Sequence, residues 1–331
     1  MKLESFQDLL RLAGGFQPAK TFLVANDLDL FAALSRPRAA EELAAEKGLQ
    51  PRALGILLDA LTAMGLLHKS AAGYHNADLA QTWLSAGPGY RGHIFKHLHH
   101  CWQAWNGLER ILREGNLVTP MEKEILVDSE RWNHIFINGM DDVTRELAPQ
   151  VVAQLDLSDV ETLMDLGGGP GTYVAEFLSR FPQLREVRLF DLPETLEVAR
   201  AKLAARGLLD RVDLIAGDFQ RNDLGTGLDA VWISQVLHSQ SEAGCRALLE
   251  KVWRALNPGG RVLVHEFFLD DDRAGPLRPA IFGMHMLVMT EGGRAYSRAE
   301  VAQWLREIGF QGVEALQVSE DTGLVTGRKP G

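Results

Sequence analysis

Apolar residues recur at two different periods along this chain. Up to about residue 155 they fall mostly three and four apart, the spacing of amphipathic helices. The segments "PAKTFLVANDLDLFAALS", "RAAEELAAEKGLQ" and "PRALGILLDALTAMG" read as three helices. In the third, Leu54, Leu57, Leu58, Leu61 and Leu66 lie near helical spacing, and Pro51 suits a first helical turn. "GLLHKSAAGYHNA" then reads as two short strands around an Ala-Gly turn. After the break "AGPGY", Ile94, Leu98, Cys101, Trp105, Leu108 and Leu112 form one apolar stripe, and helices follow over about 121–139 and 141–155.

Beyond that point the texture changes to short apolar runs alternating with helical segments. The runs "ETLMDL", "EVRLFDL", "VDLIAGD", "LDAVWIS" and "RVLVHEFFL" are strand candidates, separated by helices over about 172–181, 194–206 and 240–256. "ALNPGG" closes a helix with a Pro-Gly turn before the fifth strand. The alternation predicts an α/β fold, a parallel sheet with helices on both faces. The final stretch adds one helix and an antiparallel strand pair. Helix, helix, helix, wing is the winged-helix order, so the chain divides into an N-terminal helical domain (1–105), connecting helices (106–155) and an α/β domain (156–331).

Length and composition narrow the class. At 331 residues, 46% hydrophobic and 24% charged, the sequence is that of an ordinary globular protein with two domains or one large one. No segment approaches the ~20 apolar residues that span a bilayer, so no membrane partner is expected. The N-terminal "MKLESFQDLLRLAGG" has the pattern of neither a signal nor a transit peptide. Cys101 and Cys245 stand far apart in no metal-ligand or redox spacing, which points to a reducing cytoplasm and to no bound metal. The stripe His93, His97 and His100 lacks the carboxylate or cysteine cluster that would complete a metal site. A net charge of -10 argues against nucleic acid as a partner.

The candidate chemistry begins at "LMDLGGGPGTY" (163–173), a glycine-rich turn between a strand and a helix. Thr172 occupies the place where the dinucleotide fingerprint needs its third glycine, and no Gly-Lys-Ser/Thr follows for a phosphate-gripping loop. Asp165, two residues before Gly167, would repel a pyrophosphate but suits a cationic ligand. S-adenosylmethionine carries an ammonium and a sulfonium and no phosphate. The second strand ends in Asp191, where a carboxylate can accept both ribose hydroxyls, and the third leads into Asp218 and Phe219, suited to the adenine amino group and ring.

With those motifs in place, the chain resembles the S-adenosylmethionine-dependent O-methyltransferases of the plant-caffeate and bacterial-polyketide type, the acetylserotonin-methylating enzymes included. The resemblance runs from "FLVANDLDLFAAL" through "MDLGGGPGTY", "FDLPETLEVA", "GDF", "VLHS" and "LNPGGRVLVHEF" to the last strand. It implies a winged-helix dimerisation domain joined to a Rossmann-like catalytic domain, with S-adenosylmethionine as cofactor. It implies cofactor contacts from Asp165, Gly167, Gly169, Asp191, Leu192, Asp218, Phe219 and Ser234. The resemblance makes His238 the base that deprotonates an acceptor hydroxyl, with Glu266 orienting it, and histidine titrates in the range this needs. The substrate wall would come from Phe136 and Met140 in "FINGMDD", and from His285, Met289 and Tyr296.

Three departures from the family pattern stand out. Ser234 replaces a common lysine, His238-Ser239-Gln240 replaces His-Asp-Trp, and "GGRAYS" replaces a segment with a second glutamate. The leading expectation is methyl transfer to a hydroxyl of a small, aromatic acceptor by a homodimer. C-methylation and cofactor-assisted hydroxylation stay open on the same scaffold. A DNA-binding regulator fits poorly, because "PRALGILLDALTAMG" offers one Arg52 offset by Asp59.

Overall fold

A computed structural model describes residues 2–115 and 129–331, with the side chains of 129 and 130 left aside. The chain divides into two compact units, Met1–Gln103 and Ala104–Gly331.

In the N-terminal unit the helices Phe16–Asp27, Leu30–Ala33, Ala40–Lys47 and Pro51–Ala63 enclose a core of Leu30, Phe31, Leu34, Leu43, Leu58 and Leu61. Pro51 opens its helix at the first turn, where a missing N–H costs nothing. A hairpin follows, β1 (Leu67–Ser70) against β2 (Gly73–Asn76), with Ser70 opposite Gly73 so that Ala71 and Ala72 make the turn. Asp59 ties hairpin to helix, accepting from Lys69 Nζ at 2.6 Å and Tyr74 Oη at 2.8 Å. The first helix, Phe6–Gly14, buries no residue: Phe6 is 71% exposed and Leu9 and Leu12 51% each. The stripe expected from Ile94 to Leu112 is not continuous. Helix Gly92–Trp105 ends before Gly107, helix Leu108–Glu114 starts afresh, and Ile111 is buried in place of Leu112.

The second unit is built on a seven-stranded sheet. Its strands are β3 (Thr162–Leu166), β4 (Glu186–Asp191), β5 (Asp213–Ala216), β6 (Leu228–Ser234), β7 (Leu256–Phe267), β8 (Gln311–Gln317) and β9 (Thr322–Arg328). The spatial order is β5-β4-β3-β6-β7-β9-β8, parallel through β7, with β9 antiparallel to both neighbours. The near-continuous apolar runs of β3, β6 and β7 are explained by burial on both faces, alternate residues of each strand entering one of two cores. Met164, Leu166, Val231 and Ile233 pack with helices Glu242–Ala255 and Arg298–Ile308; Leu163, Leu189, Trp232 and Leu263 pack on the other face with helix Thr172–Arg180. Strand β7 begins at Leu256, so "NPGG" belongs to its irregular start rather than to a turn before it.

Where two expected helices met near residue 140, one helix, Ser129–Val152, runs through; the part of the first expectation before 129 lies outside the described residues. Asp141, 1% exposed in the middle of that helix, fastens it. The carboxylate accepts from Thr172 Oγ1 at 2.6 Å and Lys202 Nζ at 2.7 Å, and pairs with Arg145, with Arg206 3.8 Å away. Burial pushes its pKa up, but Lys202, Thr172 and Arg145 outweigh that and hold it down at about 2. Among the described residues, no helix is long and apolar enough to cross a membrane.

Candidate active site

The sheet reverses its winding between β3 and β6: the chain moves outward from β3 through β4 to β5, then returns to β6 and continues through β7. Ligands of open α/β sheets settle at the carboxyl ends of the strands beside such a reversal. Most of the residues singled out in the sequence converge there.

The glycine turn after β3 needs its glycines. Gly167 and Gly169 lie at φ of +72° and +54°, where a side chain is strained. At Gly168 a Cβ would meet Leu189 Cγ at 2.8 Å and the Asp165 carboxyl at 2.9 Å. The loop is pinned from β4. Asp191 accepts from Gly169 N at 2.8 Å through one oxygen and from Leu192 N at 2.7 Å through the other. Burial raises the Asp191 pKa against these hydrogen bonds. Leu192 itself is 42% exposed at the rim.

Asp165 lies deeper than the strand tip expected for it. It is the fourth residue of β3 and 1% exposed, with Oδ2 shut off from solvent and without a hydrogen-bond partner among the described residues. Burial, then the neighbouring Asp191, raises its pKa to about 8. A buried carboxyl with one oxygen left unpaired at a glycine cradle fits a ligand that brings positive charge.

After β5, Asp218 builds its own turn. Its Oδ1 accepts from Gln220 N at 2.8 Å, while Phe219 rests half-buried on the core. Beside it opens a cleft of about 480 Å³ between Phe219, Gln220, Gln240, Leu248, Lys251 and Glu291. Gln220 and Gln240 bridge it through their amides at 2.5 Å.

At the end of β6, Ser234 Oγ lies 2.9 Å from His265 Nδ1. His265 is fully buried on β7, stacked on Trp232 with 15° between the rings and 3.5 Å from Tyr173 Oη. Burial lowers its pKa to about 4, so it is neutral at physiological pH. The chain then turns through Leu237–Ser239, a short 3-10 helix that carries His238. Glu266, 3% exposed at the end of β7, grips this turn twice. Its Oε1 accepts from Leu237 N at 2.8 Å and its Oε2 lies 2.7 Å from His238 Nδ1. A carboxylate only accepts, so Nδ1 carries the hydrogen, and whenever the ring is neutral Nε2 keeps its lone pair. Phe282 meets the imidazole edge-on with ring centres 4.7 Å apart.

Helix Leu277–Met289 holds Phe282, His285 and, half-buried in its last turn, Met289. His285 Nδ1 accepts from Trp105 Nε1 at 3.1 Å; burial, then His238, lowers its pKa to about 4. Phe136 and Met140 lie one turn apart on helix Ser129–Val152, both half-buried. Tyr296 is the exception. It is 3% exposed in the core, its ring against Trp304 and its hydroxyl donating to the Gln240 carbonyl at 2.7 Å, which counts against a place on a pocket wall. Sequence reasoning missed the Asp141 fastening and the Tyr173–Ser234–His265 cluster. Adjacent acidic residues within a helix signalled the first, whereas the second arises only when β3, β6 and β7 align.

Known proteins resemble this chain in sequence and fold. The family model of the O-methyltransferase domain matches residues 119–311, and that of the O-methyltransferase dimerisation domain matches residues 10–86. A 3-hydroxy-5-methyl-1-naphthoate 3-O-methyltransferase of Streptomyces sahachiroi is 33% identical over 97% of this chain and 94% of its own. An O-methyltransferase family protein of Burkholderia thailandensis superposes with a TM-score of 0.88 at 29% identity over 99% of both chains. Human N-acetylserotonin methyltransferase, solved in complex with S-adenosylmethionine, gives 0.87 at 25% identity over 100% of this chain and 99% of its own. The chain thus belongs to the S-adenosylmethionine-dependent O-methyltransferase family and carries that family's dimerisation domain.

Proposed function

We propose that this enzyme methylates a hydroxyl of a small aromatic molecule, with His238 Nε2 as the general base. One observation carries the reading: Glu266 holds the His238 ring by Nδ1 and its peptide turn by Leu237 N, at the carboxyl edge beside the sheet's reversal. That grip fixes the tautomer and aims the basic nitrogen away from the carboxylate. When bound, S-adenosylmethionine supplies a methyl group already activated by its sulfonium, so the protein's work is alignment and the removal of one proton.

In this reading, Asp191 accepts from the ribose hydroxyls through the lone pairs that Gly169 and Leu192 leave unused. Asp218 and Phe219 take the adenine amino group and ring beside the cleft at Gln240. Asp165, Gly167, Gly169, Leu192 and Ser234 surround the remainder. Phe136, Met140, Phe282, His285 and Met289 shape an apolar wall that suits a flat acceptor. The naphthoate acceptor in the name of the Streptomyces relative agrees with that chemistry. The exposed apolar face of helix Phe6–Gly14 suits burial in a homodimer. Two free cysteines suit a cytoplasmic setting.

The test is turnover with S-adenosylmethionine across hydroxynaphthoates and related phenols by wild type and His238→Ala. Methylation at oxygen that falls at least a hundredfold in the variant, with S-adenosylhomocysteine binding intact, is the expected result. Undiminished turnover in His238→Ala would sink the base assignment, and methylation at carbon would sink the hydroxyl.

A further inference from the structure

At the end of β6, between Ser234 and Val236, Gln235 combines two unfavourable features. Its backbone is left-handed, at φ of +58°, held there by its N–H donating to the His265 carbonyl at 2.9 Å. Its side-chain Nε2 and Oε1 are both shut off from solvent and neither has a hydrogen-bond partner among the described residues. A left-handed non-glycine residue stores strain, and each unpaired amide atom forgoes a hydrogen bond it would make in water. Among the described residues nothing pairs with the amide, so it is placed for something that arrives.

The position says what. If the adenosyl group lies as read above, adenine sits at the end of β5, the ribose at β4 and the glycine turn at β3. The next strand in the sheet order is β6. Strands lie about 4.8 Å apart, so β5 to β6 is roughly 14 Å, near the extended length of adenosylmethionine. The amino-acid end of the cofactor therefore reaches Gln235. The stretch from Ser234 to Gln240 holds no lysine or arginine, so the local polar partner is an uncharged amide. A carboxamide matches an α-amino-acid head in both senses, its oxygen accepting from the ammonium and its N–H groups donating to the carboxylate.

We propose that Gln235 is a positioning residue that binds the ammonium and carboxylate of the cofactor's amino-acid end. It is half-buried as a residue, so rotation about its side-chain bonds brings the amide to the strand edge. The inference rests on the cofactor placement proposed above.

The experiment is calorimetric titration of two probes, S-adenosylhomocysteine and 5′-methylthioadenosine, which lacks the amino-acid end. They are titrated into wild type, Gln235→Met and Gln235→Gly, with the unfolding temperature of each ligand-free protein measured alongside. Both variants should lose about tenfold in affinity for S-adenosylhomocysteine and less than twofold for methylthioadenosine. Their unfolding temperatures should be no lower than the wild type's, Gln235→Gly gaining most because glycine accepts the left-handed backbone. Equal weakening toward both probes, or weakening toward neither, overturns the assignment. If wild type binds neither probe, the cofactor placement itself falls, an outcome distinct from the other two.

Discussion

Replacing Asp141 with asparagine removes one charge from the middle of helix Ser129–Val152 and should loosen its hold on the glycine-turn helix and on Pro193–Ala205. The carboxylate is 1% exposed, whereas the side chains of Lys202, Arg145 and Arg206 are 23–32% exposed. Those three cations can rehydrate when the anion is gone, so the loss is smaller than for a fully sealed ion pair. Its size follows from linkage. Folding lowers the Asp141 pKa from 3.8 to about 2, nearly two pH units, which at 1.36 kcal/mol per unit is about 2.5 kcal/mol. Because the folded value is the depressed one, this contribution is complete above about pH 5 and is lost as pH falls through 3.8 toward 2.

Urea unfolding of wild type and Asp141→Asn across pH 3 to 8 reads this directly. The gap should hold near 2.5 kcal/mol from pH 8 to 5 and shrink toward half of that at pH 3, whereas the thermal midpoint at pH 7 should drop by roughly 5–10 °C. Equal stability at neutral pH, or a gap of constant size over the range, would refute the argument that the carboxylate works as a charge.

Other outcomes follow from the site. Glu266→Gln keeps the shape of the side chain but gives His238 a weaker acceptor, and turnover should fall about ten- to a hundredfold with S-adenosylhomocysteine affinity unchanged; a parallel loss of affinity would mean that Glu266 only braces the turn. Asp191→Ala removes the acceptor for Gly169 N and should weaken S-adenosylhomocysteine at least tenfold by calorimetry, and unaltered binding would remove Asp191 from the ribose site. Asp165, raised to about 8, is mostly protonated at pH 7, and a cationic ligand beside it should ionise it. Titrating S-adenosylmethionine in buffers of different ionisation enthalpy should then show a proton released at pH 7, and Asp165→Asn should abolish the release; no release in wild type would remove the cation from its neighbourhood.

The alternation of apolar runs with helical segments made the parallel sheet legible, because strands buried on both faces must be apolar throughout. The His238–Glu266 pair was legible only through resemblance, since 28 positions separate the two and their meeting depends on β6 lying beside β7. Helix Ser129–Val152 defeated the period reading: Gly139 interrupts its apolar face, and Pro149 sits inside it, yet Asp141 and its cations carry the helix through. Tyr296 was misplaced for a related reason. A tyrosine after a Gly-Gly turn resembles a pocket residue by sequence, while its hydroxyl finds a backbone carbonyl fifty-six positions away.

The interior place of β9 sets a constraint on timing. Residues Thr322–Arg328 are wedged between β7 and β8, and Leu324 and Val325 reach into the cores on opposite faces. Until the ribosome has released that segment, β7, which carries Glu266, has an open edge and the sheet cannot close. The turn that carries His238 is therefore held by a strand whose outer neighbour is made late, and a nascent chain halted after residue 308 would present β7 as an unpaired edge, the kind of surface that recruits chaperones or another copy of itself.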